Sequence, residues 1–269
     1  MLLTVDVGNT NITYGIYDGD RVVTTFRMMS QMQRTSDEFG IALLSMMQAN
    51  GVVPQGIDGI IVVSVVPNIM HALVGALTRY VGRRPYIVGF GVDTGIVIAT
   101  EHPKEVGADR IVDAAAAYAL YGGPVFVLDF GTATTYDLVD DKGQFISGVT
   151  APGIGISARA LWQNTAKLPE IEIRKPESIL AGETISSMQA GLVYGQIGQA
   201  KYIIEETKRA SGYADMKVVA TGGLGRMIAD ELPEIDIYDP TLTLKGLQII
   251  YERNRDTAPQ ENPYESGRE

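Results

Sequence analysis

The chain has 269 residues, 45% of them hydrophobic and 20% charged, enough for one large or two medium domains with a real core. It has no cysteine, which excludes disulfides, thiolate catalysis and Cys-ligated zinc. Its formal net charge of −10 argues against general binding to nucleic acid or anionic membranes, though ATP, which needs only a local nest of donors, is still admissible.

In chain order, the apolar run Leu2-Leu3-Thr4-Val5 leads into Asp6-Val7-Gly8-Asn9-Thr10 and then into a β-type run from Ile12 to Tyr17. A turn at Asp18-Gly19-Asp20 gives a third strand over 21–27. Thr35-Ser36-Asp37-Glu38 reads as a helix start, and Phe39, Ala42, Leu43, Met46 and Met47 then share one face at helical spacing. The two methionines are expected to fill core. Residues 60–66 form a continuous β-branched run, the pattern of a strand covered on both faces. A helix to about residue 80 and a short strand over 85–88 follow.

Residues 101–110 are the most polar stretch of the first half and feed an alanine-rich helix over 111–121. Gly107-Ala108-Asp109-Arg110 therefore sits at a helix N-terminus, where backbone donors and the dipole favour an anion. Asp109 is equally suited to plain capping, with Arg110 solvated. Next comes a second apolar run over 125–128, followed by Asp129-Phe130-Gly131-Thr132, a strand from Thr134, a turn over 140–143 and a strand over 144–149. Ala151-Pro152-Gly153 leads into a helix bearing Leu161 and Trp162. Thr184 is placed to cap a long helix over 185–210, rich in Ala190, Gly191, Gly195, Gly198 and Ala200. A strand over 217–220 ends in Thr221-Gly222-Gly223, a helix follows, and a last helix spans 240–253. The polar tail 256–269 is expected to be mobile.

Strand, Asp-x-Gly turn, strand, turn, strand occurs twice, with Asp6 and Asp129 set 123 positions apart, and marks an internal duplication. An acidic residue at the end of a buried strand is costly unless it meets a cation or hydrogen-bond donors. The glycine two residues on permits a tight turn with outward N–H groups, and Thr or Asn adds contacts suited to phosphate oxygens or hydrated metal. Two such turns facing one another would hold a polyphosphate and its metal from both sides. No Gly-x-x-x-x-Gly-Lys-Ser/Thr is present, which excludes a P-loop, and His71 and His102 assemble no catalytic or metal set. The halves imply an α/β fold with lobes 1–115 and 116–255. With no basic leader and no run of about 18 apolar residues, a cytoplasmic location is expected.

The repeated turn and late Gly-Gly pair resemble the superfamily of acetate and sugar kinases, Hsp70 and actin. Within it, Asp6-Val7-Gly8-Asn9-Thr10-Asn11, Gly107-Ala108-Asp109-Arg110, Asp129-Phe130-Gly131-Thr132-Ala133-Thr134 and Thr221-Gly222-Gly223 resemble type III pantothenate kinase, in order and across nearly the whole chain. The resemblance implies a duplicated actin-like (ribonuclease H-like) two-lobed fold, with mixed sheets flanked by helices. It implies ATP-dependent phosphorylation of pantothenate, the first step of coenzyme A biosynthesis. ATP would be bound by Asp6, Val7, Gly8, Asn9, Thr10, Asn11, Ile12 and Thr13, with magnesium, and by Thr132, Gly222 and Gly223. Pantothenate would be held by Gly107, Ala108, Asp109, Arg110 and Thr184, with Asp109 as general base. Asp129 would hold a monovalent cation, potassium or ammonium. A homodimer with the substrate pocket at the subunit boundary is also implied, and the small-residue helix after Thr184 is the candidate surface. Thr100-Glu101 departs from the aromatic residue that relatives often carry there. A non-catalytic regulator on the same fold would be expected to lack Asp109 or Asp129, and both are present.

Overall fold

The structure, a computed structural model, describes residues 1–30, 32–89 and 91–256. Its contacts divide into two compact units. The first takes Met1–Gly95, His102–Ala116 and the described residues from Thr243 on; the second takes Ile96–Glu101 and Ala117–Leu242.

The chain begins with the antiparallel meander β1 (Leu2–Val7), β2 (Asn11–Asp18) and β3 (Arg21–Met29). Helix α1 (Ser36–Ala49) starts at a capping box: the Thr35 side chain accepts from the Glu38 amide and Glu38 accepts from the Thr35 amide. That reciprocal pair satisfies two of the donors a helix start otherwise leaves open. Strand β4 (Gly59–Ser64) runs parallel to β1, with Leu2 beside Gly59 and Asp6 beside Val63. Helix α2 (Pro67–Ala76), with proline in its first turn, widens into a π-turn over Leu77–Val81 and stops at Gly82. Strand β5 (Tyr86–Ile87) then closes a sheet of order β3-β2-β1-β4-β5. Alternation along the strands puts Leu3, Val5, Val7, Ile12, Tyr14 and Ile16 on one face, buried against Phe39, Leu43 and Met47 of α1 and Met70 and Leu73 of α2. Met47 and its neighbour Met46 fill core, as their spacing predicts.

Strand β6 (Val97–Ile98) has no counterpart in the sequence reading. Helix α3 (Ala108–Tyr121) follows, then the second meander of β7 (Val125–Phe130), β8 (Ala133–Val139) and β9 (Gln144–Pro152). Helices α4 (Ile154–Gln163) and α5 (Thr184–Ser211) lead to β10 (Lys217–Thr221), the short helix α6 (Gly225–Ala229) and β11 (Ile237–Tyr238). The second sheet has the order β11-β10-β7-β8-β9-β6. With β6 removed, it repeats the first sheet strand for strand, including the parallel partner that joins the first strand of each meander. Even the irregularity recurs: the pairing slips between Ile16 and Tyr17 in one copy and between Leu138 and Val139 in the other. The face of this sheet bearing Phe126, Leu128, Phe130, Tyr136 and Leu138 packs on α4, α5 and α6.

Helix α7 (Leu242–Asn254) belongs by contact with the first unit from Thr243 on. Lobes cut in chain order at 1–115 and 116–255 place it in the second, and packing is the reason for the difference. A Cβ on Gly246 would fall 2.6 Å from the Val112 carbonyl of α3, so the two helices touch backbone to backbone there. Leu244 lies against Gly15, the Tyr251 ring lies over Gly59, and Asn254 bonds the Asp93 carbonyl and the Tyr86 hydroxyl. Residues 257–269, most of the tail expected to be mobile, lie outside the described residues. Among the described residues, no helix is long and apolar enough to cross a membrane.

Candidate functional site

In the first unit, Asp6 and Val7 end β1, Gly8, Asn9 and Thr10 make the turn, and Asn11, Ile12 and Thr13 open β2. Val7 and Ile12 point into the core, whereas Asn9, Thr10 and Asn11 are exposed. The turn is closed by the Gly8 amide donating to the Asn11 carbonyl at 3.0 Å. Ser30, just past β3 and 4% exposed, donates its hydroxyl to the Gly8 carbonyl at 2.6 Å and its amide to the Thr10 carbonyl at 3.0 Å. Register puts Val63, Asp6, Thr13 and Arg27 in one row across β4, β1, β2 and β3, all on the same sheet face. Arg27 is exposed, and among the described residues it has no hydrogen-bond or ion-pair partner. Neither Ser30 nor Arg27 carries a motif that marks it in the sequence. The alternation of β3 places Arg27 opposite to Phe26 and Met28, but only the register sets it beside Asp6.

The second unit repeats the row as Thr221, Asp129, Thr135 and Thr150 across β10, β7, β8 and β9. The Asp129 carboxylate is bracketed by glycines. A Cβ on Gly222, whose φ is +95°, would lie 2.6 Å from Asp129 Oδ1 and from the backbone of Phe130, and one on Gly131 would lie 3.1 Å from Oδ2. Gly222 therefore admits no side chain on either count. The Tyr238 hydroxyl donates to the Gly222 carbonyl at 2.7 Å, and the Arg226 guanidinium stacks 4.5 Å from the Tyr238 ring. Gly223 is exposed, and a Cβ there would meet nothing. Thr132 is exposed in the turn, and its carbonyl abuts Gly153 at the start of α4 so closely that no larger residue fits. A carboxylate in register with threonines on both neighbouring strands offers oxygen donors, the kind that hard cations take. Among the described residues no group of three or more His, Cys, Asp and Glu side chains could hold a metal.

Gly107 immediately precedes α3, and Ala108, Asp109 and Arg110 form its first turn. The Asp109 carboxylate folds back on the helix start, with Oδ1 accepting the Arg110 amide at 2.8 Å. The same oxygen lies 2.7 Å from where a Cβ on Gly107 would stand, so the glycine makes its room. Burial raises the carboxyl pKa above its ordinary value, against the lowering effect of the Arg110 amide and charge. The residue is thus the helix-start acceptor that the sequence suggests, and its burial adds a raised proton affinity that the sequence does not display.

Thr184 is exposed and is the first residue of α5, not its cap. That position falls to Glu183, which makes no side-chain capping bond. Ser187, Ala190, Gly191, Tyr194 and Gly195 of α5 line an open cavity of about 470 Å³ with Ile179 and Ala181. Beside it Leu180 is 87% exposed. Thr100, just after β6, buries its hydroxyl oxygen without a hydrogen-bond partner among the described residues.

The sequence model of the type III pantothenate kinases matches residues 2–206. The chain belongs to the type III pantothenate kinase family. An Agathobacter rectalis member is 59% identical over 253 residues, spanning 94% of this chain and 97% of the relative. A Listeria monocytogenes serovar 1/2a member is 48% identical over 257 residues, spanning 96% and 99%. Membership makes the chain an enzyme, a kinase. Among solved structures, a Campylobacter jejuni protein described as a Baf family transcriptional activator superimposes with TM-score 0.59 at 18% identity, over 94% of this chain and 98% of the other. A Sinorhizobium meliloti protein described as a 2-dehydro-3-deoxygalactonokinase gives 0.57 at 17%, over 98% and 99%. At such identities the likeness is one of fold, and the fold is the duplicated actin-like α/β architecture with mixed sheets flanked by helices.

Proposed function

We propose that the chain transfers the γ-phosphoryl group of ATP to the 4′-hydroxyl of pantothenate, the first step of coenzyme A biosynthesis. The observation that carries this reading is the Asp109 carboxylate, held at a helix start with its proton affinity raised by burial. In direct in-line transfer the hydroxyl oxygen of pantothenate attacks the γ-phosphorus, the bond from that phosphorus to the bridging oxygen breaks, and ADP leaves. Asp109 accepts the hydroxyl proton as that oxygen bonds to phosphorus. A raised pKa suits this role, because a base whose affinity lies nearer the working pH takes up a larger share of the proton.

Asp6 through Thr13 would cradle the phosphates, Arg27 would supply a fixed positive charge beside them, and Thr132, Gly222 and Gly223 would contact the nucleotide. Gly107, Ala108, Arg110 and Thr184 would hold pantothenate, with the Arg110 guanidinium suited to its carboxylate. Asp129 would hold potassium or ammonium, and Asp6 would orient magnesium brought in with ATP. When bound, these cations neutralise charge on the phosphates. The cavity on α5, together with exposed Ile179 and Leu180, supports a homodimer along that helix with the substrate pocket at the subunit boundary. A cytoplasmic location goes with this reading.

The test is ADP release by the purified protein, with and without pantothenate and potassium. Release that needs both supports the reading, and release indifferent to pantothenate defeats the substrate assignment. Asp129→Asn should abolish the response to potassium. A variant still stimulated as strongly as the native protein would remove Asp129 as the cation ligand.

A further inference from the structure

We infer that Ser30 is a positioning residue for the nucleotide phosphates, because it draws the carbonyl oxygens of the Gly8–Asn11 turn away from the anion. A turn between two strands presents both polar ends of its peptides, and only the N–H ends favour phosphate. The carbonyl ends repel it unless another donor claims them. Here the carbonyls of Gly8, Thr10 and Asn11 are each claimed by a donor of the chain: the Ser30 hydroxyl at 2.6 Å, the Ser30 amide at 3.0 Å and the Gly8 amide at 3.0 Å. Two of the three come from one residue, buried to 4% exposure at the end of β3. The side chain is short, so the hydroxyl reaches Gly8 only while β3 stays paired to β2 through Asn11 and Met29. Ser30 thereby ties the orientation of the turn to the register of the third strand. The second copy has no equivalent clamp in sequence: the residue past the end of β9 is Gly153, which abuts the carbonyls of Gly131 and Thr132 and carries no side-chain donor.

This inference rests on the assignment of ATP to the Asp6–Thr13 turn, and the experiment separates the two. Steady-state kinetics are measured for Ser30→Ala, Ser30→Thr and Asp6→Asn, varying ATP and pantothenate in turn, with thermal midpoints alongside. Loss of the hydroxyl bond in Ser30→Ala should raise KM for ATP about tenfold. KM for pantothenate should stay within about twofold, and Ser30→Thr, which keeps the donor, should return KM for ATP toward native. If Ser30→Ala does not fold, Ser30→Cys, with a weaker donor of similar size, should give a KM for ATP raised by a smaller factor. A lowered thermal midpoint with native KM for ATP would make Ser30 merely structural and overturn the inference while leaving the nucleotide assignment in place. Unchanged nucleotide affinity in Asp6→Asn as well would overturn both.

Discussion

Across the first sheet the row at the acidic strand end reads Val63, Asp6, Thr13, Arg27, and across the second it reads Thr221, Asp129, Thr135, Thr150. Both rows were built on one plan, with the acidic residue on the central strand and a threonine opposite it. They differ at their ends. The first carries a guanidinium, whereas the second carries only hydroxyls around its carboxylate. The turns differ in the same sense. Three residues, Gly8 to Thr10, separate β1 from β2, and Ser30 holds their carbonyls aside; two residues, Gly131 and Thr132, separate β7 from β8, with the Asp129 carboxylate pressed between glycines. A row ending in a cation suits an anion, and a row of oxygens around a carboxylate suits a cation. Duplication thus supplied two copies of one hairpin, and under the proposed function a few side chains suit them to ligands of opposite charge.

The largest expected effect tests whether the chemistry lies outside both rows. Asp109→Asn should lower kcat by about a thousandfold while ATP affinity, measured by titration, changes less than about twofold. The pH behaviour follows from the sign of the shift. Burial raises the folded carboxyl pKa, so the stability associated with the protonated form is present below the ordinary aspartate value and is lost as pH rises through the folded pKa. The native protein should therefore lose turnover on acidification earlier than an ordinary aspartate base would. Asp109→Asn should show a higher thermal midpoint than native at neutral pH, with the gain vanishing in acid.

Next in size is a contrast between neighbours. Gly222→Ala places a Cβ against Asp129 and forces an unfavourable φ, so it should cost about 2 kcal/mol in chemical denaturation. Gly223→Ala meets nothing and should stay within roughly 0.5 kcal/mol of native. Equal losses at the two positions would contradict the packing around Asp129. The rows themselves are compared by Arg27→Gln and Thr135→Val. The first should raise KM for ATP about tenfold and leave the potassium requirement unchanged. The second should raise the potassium concentration for half-activation several-fold and leave KM for ATP near native. The smallest loss expected from removing a contact is Tyr238→Phe, which deletes the hydroxyl bond to the Gly222 carbonyl and should cost about 1 kcal/mol in the same denaturation assay.

Much of this was legible in the residues. The meander over 2–27 and its repeat from 125 follow from apolar β-type runs broken by Asp-x-Gly turns, and α1 was marked at its start by Thr35 and Glu38. Strand β6 was not legible, since two residues become a strand only through their pairing with Gln144 and Phe145. Thr184 reads as a cap because threonine favours that position, yet the helix takes it as its first residue.

The sequence by itself determined the strands of the two meanders, their turns and the pair of acidic bends, because apolar runs, turn residues and helix caps act over a few neighbouring positions. Only the tertiary structure decided that Arg27 stands in the row of Asp6, that Ser30 clamps Gly8 and Thr10, and that α7 packs on the first unit rather than the second. Those outcomes depend on register and on close backbone approach at Gly246 between segments far apart in the chain. Such contacts leave no local pattern for a sequence to display.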